Sequence, residues 1–303
     1  MKRLFDSHTH INNDTYTEEE RRQLIADIEA SEVACVMDVG FDLPSSERAA
    51  ADAAGIPWCY AAVGVHPHDT KTMNEDIYDR IRLLAGQPKV QAIGEIGLDF
   101  YYNHSDAEDQ RYWFRRQIRL ANELRMPIVI HSREADQETM DILKEEGAFS
   151  DERCSWFPMR PGAGRQTETS GKSPHAEADE TNAAGAAWGS HMEKDARVLL
   201  HCFSGSRELA EQYVKLGATL SIAGPVTYKN NRRTSEVVSA IPIEYLLVET
   251  DAPYLTPEPH RGKKNKSPYV EYTARRVALL KGMTYEETAR RTLENAKRFY
   301  GIE

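Results

Sequence analysis

The 303-residue chain is predicted to be an α/β protein, a TIM-type (β/α)8 barrel with its active site at the C-terminal ends of the strands. Three observations predict it. Eight short apolar runs recur along the whole length, amphipathic segments with helix-start signals lie between them, and nearly every run is followed by a group able to bind metal or phosphate. Repeated strand–helix alternation specifies a parallel sheet with right-handed crossovers. In an open sheet the first and eighth strand ends need not meet. Closure into a barrel makes them neighbours and gathers all the polar groups around one mouth.

In chain order the strand runs are RLF (3–5), ACVMDV (34–39), WCYAAV (58–63), VQAI (90–93), PIVI (127–130), RVLL (197–200), ATLSIA (218–223) and YLLVE (245–249). Among the helices, Thr17 with Glu20 forms a capping box ahead of Leu24, Ile25 and Ile28. Ser105 with Glu108 is expected to do the same ahead of Phe114, Ile118 and Ala121, and Thr284 with Glu287 opens the last helix.

One segment interrupts this rhythm. From Arg153 to Glu193 there is no Ile, Leu or Val, so a stretch of about 152–194 reads as a low-complexity insertion in a single barrel domain spanning 1–303. Within it TSGKS (169–173) imitates the end of a phosphate-binding loop. The position five before Gly171 is Gln166 rather than Gly, and no strand precedes it, so that reading is rejected. GSHM (189–192) resembles the remnant of an expression tag, and His175 and His191 read as solvated side chains without chemistry.

Composition bounds the function. A formal charge of −10 argues against a broad basic surface gripping nucleic acid, yet leaves room for a local phosphate site. No stretch stays apolar for the length of a membrane span, and MKRLFDSH carries no signal-peptide core, so a cytoplasmic protein without membrane or obligate protein partners is expected. Cys35, Cys59, Cys154 and Cys202 lack CxxC spacing and read as free thiols rather than disulfides or a zinc knuckle.

The chemistry lies at the strand ends. His8 and His10 in FDSHTH (5–10) sit two apart on a strand, a spacing that turns both imidazoles to one side. Alone, each of these residues is more readily a structural histidine or acid. As a set, His8, His10, Glu95, His131, His201 and Asp251 would converge on one mouth, where so many ionisable groups require a cation. They are more ligands than one tetrahedral ion needs, and a carboxylate such as Glu95 can bridge, so two divalent ions and a hydrolytic reaction are expected. Histidine ligands favour zinc, manganese or nickel.

The motifs DSHTHI (6–11), GVHPHD (64–69), GEIGLDFYY (94–102), IHSREA (130–135), LLHCFSGS (199–206) and VETDAPYLTP (248–257) stand in an order that resembles the TatD-type deoxyribonucleases, a branch of the amidohydrolase-like barrels. The resemblance covers the whole chain apart from the insertion. It implies His8, His10 and Asp251 on one ion, His131 and His201 on the other, and Glu95 between them, with Glu95 and Asp251 catalytic and Asp251 orienting or deprotonating the attacking water. It further implies magnesium as the expected metal and 3'-to-5' cleavage of DNA, single-stranded in the first instance.

For substrate contacts, His66 is read as a donor to the scissile phosphate, with His68 a weaker candidate, and Arg133 and Arg261 as phosphate-binding cations. Arg261 belongs to the basic loop EPHRGKKNK (258–266), placed at the mouth of an acidic protein. Tyr101 and Tyr102 could stack on a base or line the wall, Asp99 could support a ligand or start a helix, and Cys202 reads as a packing residue. Two other readings stay open. One is a hydrolase of the same superfamily acting on a small molecule such as a cyclic amide, phosphate ester or aminoacyl ester; the other is a barrel without activity that serves as a scaffold.

Overall fold

The computed structural model describes residues 2–160 and 194–303. Eight parallel strands follow one another around the sheet in sequence order: β1 (Leu4–Thr9), β2 (Val33–Val39), β3 (Cys59–Val63), β4 (Val90–Asp99), β5 (Ile128–Arg133), β6 (Val198–Leu200), β7 (Thr219–Ile222) and β8 (Leu246–Val248). Closure comes just beyond the last strand, where Thr9 bridges Ala252, His10 N donates to Ala252 O over 2.8 Å and Asp251 N donates to His8 O over 2.9 Å. The (β/α)8 expectation is met.

Around the strands lie α1 (Glu18–Ala30), α2 (Leu43–Gly55), α3 (Glu75–Ala85), α4 (Ala107–Glu123), α5 (Asp136–Glu145), a short α6 (Asp151–Ser155), α7 (Arg207–Lys215), α8 (Arg232–Ala240), α9 (Val270–Lys281) and α10 (Tyr285–Tyr300). Both halves of the Thr17–Glu20 capping box form, and Thr284 accepts from Glu287 N. Ser105 departs from expectation. Asp106 precedes α4 without a side-chain cap, while Ser105 Oγ accepts from Lys71 N and donates to His68 O over 2.7 Å. Two tertiary backbone groups outcompete the local helix terminus for this hydroxyl.

Two apolar layers position the site. One fills the space between strands and helices; the other fills the barrel interior with Phe5, Met37, Val39, Ala62, Ala92, Val129, Leu199 and Leu247, joined by Phe299 and Tyr300 of α10. The Tyr300 hydroxyl donates to Ser7 O over 2.9 Å, fixing α10 to β1. Because side chains alternate along a strand, residues two beyond an interior one share its side. That rule carries Val129 to His131, Leu199 to His201, Leu247 to Glu249 and Asp251, and Ala62 through Gly64 to His66. Phe5 to His8 and Ala92 to Glu95 are three apart instead. Pairing register shifts between Asp6 and Thr9 on β1 and between Ile93 and Ile96 on β4, which re-aims the side chains beyond the irregularity.

The first residues of the 152–194 segment are held by arginines rather than by apolar side chains. Arg153, fully buried, donates to Ala196 O, Met126 O and Asn122 Oδ1. Arg160 reaches Asp195 Oδ1, Thr219 Oγ1 and the carbonyls of Lys194, Gly217, Ala218 and Glu244. TSGKS, GSHM, His175 and His191 lie outside the described residues. All four cysteines are free thiols. Among the described residues no helix is long and apolar enough to cross a membrane.

Candidate metal centre

Six side chains predicted from the sequence meet at the C-terminal mouth, organised around Glu95. Its Oε2 lies 3.3 Å from His8 Nε2 and 3.9 Å from His10 Nε2, while Asp251 Oδ1 lies 3.3 Å from His10 Nε2 and 3.9 Å from His8 Nε2. Glu95 Oε1 faces the other way, 2.8 Å from His201 Nε2, 2.9 Å from His131 Nδ1 and 3.4 Å from His66 Nε2. One carboxylate thus presents its two oxygens to two separate sets of imidazoles.

Backbone geometry sets these positions. Gly97, next to β5, has φ +151°, and a Cβ there would overlap His131 O, so only glycine lets β4 lie this close to the His131 backbone. Asp251 sits at φ +55°, a left-handed conformation that Asp adopts more readily than most residues. Its predecessor is pinned by buried Asp6, whose oxygens accept from Thr250 N over 2.8 Å and Thr250 Oγ1 over 2.6 Å. Burial outweighs these bonds and pushes the Asp6 carboxyl up to about 7.

Outer hydrogen bonds fix which ring nitrogens point inward as lone pairs. His10 Nδ1 is 2.7 Å from Val39 O, an acceptor only, so the proton of the neutral ring resides on Nδ1 and Nε2 is free. His131 Nε2 lies 3.2 Å from Asp99 Oδ2, which leaves Nδ1 as the inward lone pair. His68 shares that carboxylate oxygen at 2.9 Å, and Asp99 Oδ1 accepts from the backbone of Tyr101 and Tyr102. Asp99 is therefore a partner of the site rather than a helix-start acid.

Such lone pairs pointing at carboxylate oxygens across 2.9 to 3.3 Å repel one another unless a proton or a metal cation lies between them. Charge within the cluster follows the same logic. Burial alone would raise the Glu95 carboxyl, but the imidazoles of His201, His66 and His131 hold it well below the usual range. For His201 burial is the largest influence and would lower the pKa, yet Glu95 and Glu249 together raise it well above the ordinary value. Burial pushes His66 down to about 4, leaving it neutral. Three groupings have ligand atoms within 4.8 Å of one another: His8–His10–Glu95, His8–His201–Glu249 and His66–Glu95–His131. Nitrogen and oxygen donors in this mixture suit a divalent transition metal.

Glu249 was not singled out by sequence reasoning. It is fully buried, with Oε1 3.4 Å from His201 Nδ1 and accepting from Cys202 N over 2.7 Å. Its signal was parity: two beyond Leu247 and two before Asp251 on one side of the chain. His66, read from the sequence as a phosphate donor, stands among the Glu95 imidazoles with Nε2 3.4 Å from Oε1. Arg133 is exposed, its guanidinium 4.2 and 4.6 Å from the Tyr101 and Tyr102 ring centres, and Arg261 lies 4.2 Å from the Tyr228 ring. Neither ion-pairs with an acid among the described residues. The basic loop is partly structural, since Lys264 contacts Thr15 O and the Tyr16 ring and Lys266 pairs with Asp27 at 2.7 Å.

A parallel barrel with a buried imidazole–carboxylate cluster at its C-terminal mouth defines the class of metal-dependent hydrolase barrels. The family model for TatD related DNase matches residues 5–301, and the chain belongs to that family. It is 38% identical over 299 residues to the metal-dependent hydrolase YabD of Bacillus subtilis, covering 99% of both chains. It is 30% identical over 286 residues to the 3'-5' ssDNA/RNA exonuclease TatD of Klebsiella pneumoniae, covering 93% of this chain and 92% of that one. The crystal structure of YJJV, a TatD homologue from Escherichia coli K12, superposes with a TM-score of 0.78 at 22% identity, covering 100% and 99% of the two chains. This protein is a metal-dependent hydrolase acting on ester bonds.

Proposed function

We propose that the chain cleaves phosphodiester bonds in single-stranded DNA from the 3' end, with His8, His10 and Asp251 holding one divalent ion, His131 and His201 a second, and Glu95 between them. The observation that carries this reading is the division of Glu95, whose Oε2 faces His8 at 3.3 Å and whose Oε1 faces His201 at 2.8 Å. These residues would hold divalent ions, whose chemistry there would be to polarise a phosphoryl oxygen and lower the pKa of a water towards neutral pH. Magnesium is expected from the family, and zinc, manganese or nickel from the histidine-rich donor set.

The chain's own groups supply the rest. The Asp251 carboxylate accepts the proton of the attacking water and orients it. Its charged form is maintained because His10, His201 and His8 outweigh the burial that would protonate it. Neutral His66 accepts from His68 N at Nδ1 over 3.1 Å, so its proton sits on Nε2, which faces the site and is placed to donate to a phosphate oxygen. Arg133 and Arg261 project from the rim as bidentate donors for flanking phosphates. The exonuclease name of the Klebsiella relative supports nucleic acid as the substrate class.

The test is digestion of 5'-labelled single-stranded oligonucleotides with magnesium, manganese, zinc or nickel. A ladder shortening from the 3' end, abolished by chelator and by Asp251→Asn, is expected. Intact oligomer with every metal, alongside hydrolysis of an aminoacyl or small phosphate ester, would replace the reading with a small-molecule hydrolase.

A further inference from the structure

A second recess lies away from the metal centre, on the outer face between α7 and α8. Its volume is about 1100 Å³, above the range of about 300–1,000 Å³ usual for small-molecule pockets. Six basic and three acidic side chains line it, an excess of three positive charges on a chain whose formal charge is −10. One of the six, Arg207, is paired with Glu211 at 2.7 Å. Lys215, Lys229, Arg232, Arg233 and Arg276 form no ion pair among the described residues, and Arg276 Nε is buried without a hydrogen-bond partner.

These cations are spread rather than clustered. Lys229, Arg232 and Arg233 lie at the start of α8 and Lys215 at the end of α7, and nine-residue helices are about 13 Å long. Arg232 and Arg233 occupy the first turn of α8, which contains no acid. Cations there oppose the helix dipole, and an anion in the groove would offset that.

The groove is tied to the catalytic mouth through the loop that follows Asp251. Both helices begin at the end of the barrel where the site lies. Tyr228 lines the groove, carries Arg261 over its ring and donates its hydroxyl to Thr256 O over 3.0 Å. Glu258 N donates to Thr227 Oγ1 over 2.9 Å. The loop that begins at Asp251 is thereby fastened to the groove entrance.

We propose that this groove binds the sugar–phosphate backbone of a single-stranded polynucleotide whose terminal nucleotide occupies the metal centre. The inference rests on the nuclease reading above. It gives an acidic protein a local track for a polyanion, with Arg261 and Tyr228 at the turn from mouth to groove. Open, exposed guanidinium groups would bind phosphates without sequence preference.

The test compares wild type with Arg232→Glu/Arg233→Glu, using a 20-mer, a dinucleotide and bis(p-nitrophenyl) phosphate as substrates. A phosphorothioate 20-mer measures binding across a salt series. Glutamate suits the first turn of a helix, so the variant should fold, which a thermal melt checks. The proposal expects affinity for the 20-mer to fall by about tenfold or more, and the slope of log affinity against log salt to shrink by about 1.4. Hydrolysis of the dinucleotide and the nitrophenyl ester should be unchanged. Equal 20-mer affinity and salt slope in variant and wild type would overturn the groove assignment while leaving the nuclease reading intact. A wild type that neither binds nor cuts the 20-mer but hydrolyses the nitrophenyl ester would overturn both.

Discussion

His131 Nε2 stands 3.2 Å from Asp99 Oδ2, so the ring keeps its proton on the outer nitrogen and turns a lone pair towards Glu95. The orientation of a candidate ligand is thus set by a residue that need not touch the metal itself. Replacing Asp99 with Asn offers an amide N–H to that ring nitrogen, which moves the proton to Nδ1 and turns an acceptor into a donor facing Glu95. Asp99→Asn should weaken divalent-metal affinity by about 10–100-fold with little change in fold, measured by chelator competition and circular dichroism. Unaltered affinity would mean that the contact is incidental.

Proton release provides a second check. In the metal-free protein burial would lower the pKa of His10, His131 and His201, but neighbouring carboxylates outweigh it and raise all three. Below those raised values the rings carry protons that a metal must displace. Metal binding should therefore release protons, more of them at pH 6 than at pH 8, and affinity should fall as pH falls. Calorimetry in buffers of different ionisation enthalpy measures the number directly. Binding without proton release at pH 6 would contradict this charge state.

Stability and chemistry should separate at Arg160. Its guanidinium is 3.2 Å from Asp195 Oδ1 and joins β7 residues to the chain flanking the 161–193 stretch. Arg160→Ala leaves a cluster of buried carbonyls and a carboxylate short of a donor, and should lower stability by about 3–5 kcal/mol. The hydrolytic rate of the folded fraction should hold. Denaturant unfolding paired with activity at low temperature distinguishes this from a role in catalysis.

Much of the mouth was legible in the sequence because alternation along strands is a local rule. His131, His201 and Asp251 obey it, each an even number of residues from an interior apolar residue. His8 and Glu95 were found from their motifs, although register shifts on β1 and β4 change the parity that leads to them. Glu249 stood at the end of the apolar run YLLVE, counted as part of the strand and not as a polar group beyond it. What could not be read were choices between tertiary partners. Ser105 gives up a helix cap for Lys71 and His68, Lys264 and Lys266 turn to α1, and Arg153 finds its acceptors 27 to 43 residues away.

Anomalous diffraction from crystals soaked in manganese addresses the central claim most directly. Two peaks about 3.5–4 Å apart are predicted, one beside His8, His10 and Asp251 and one beside His131 and His201, with an oxygen of Glu95 on each. A single peak, or peaks that leave Glu95 uncoordinated, would contradict the account.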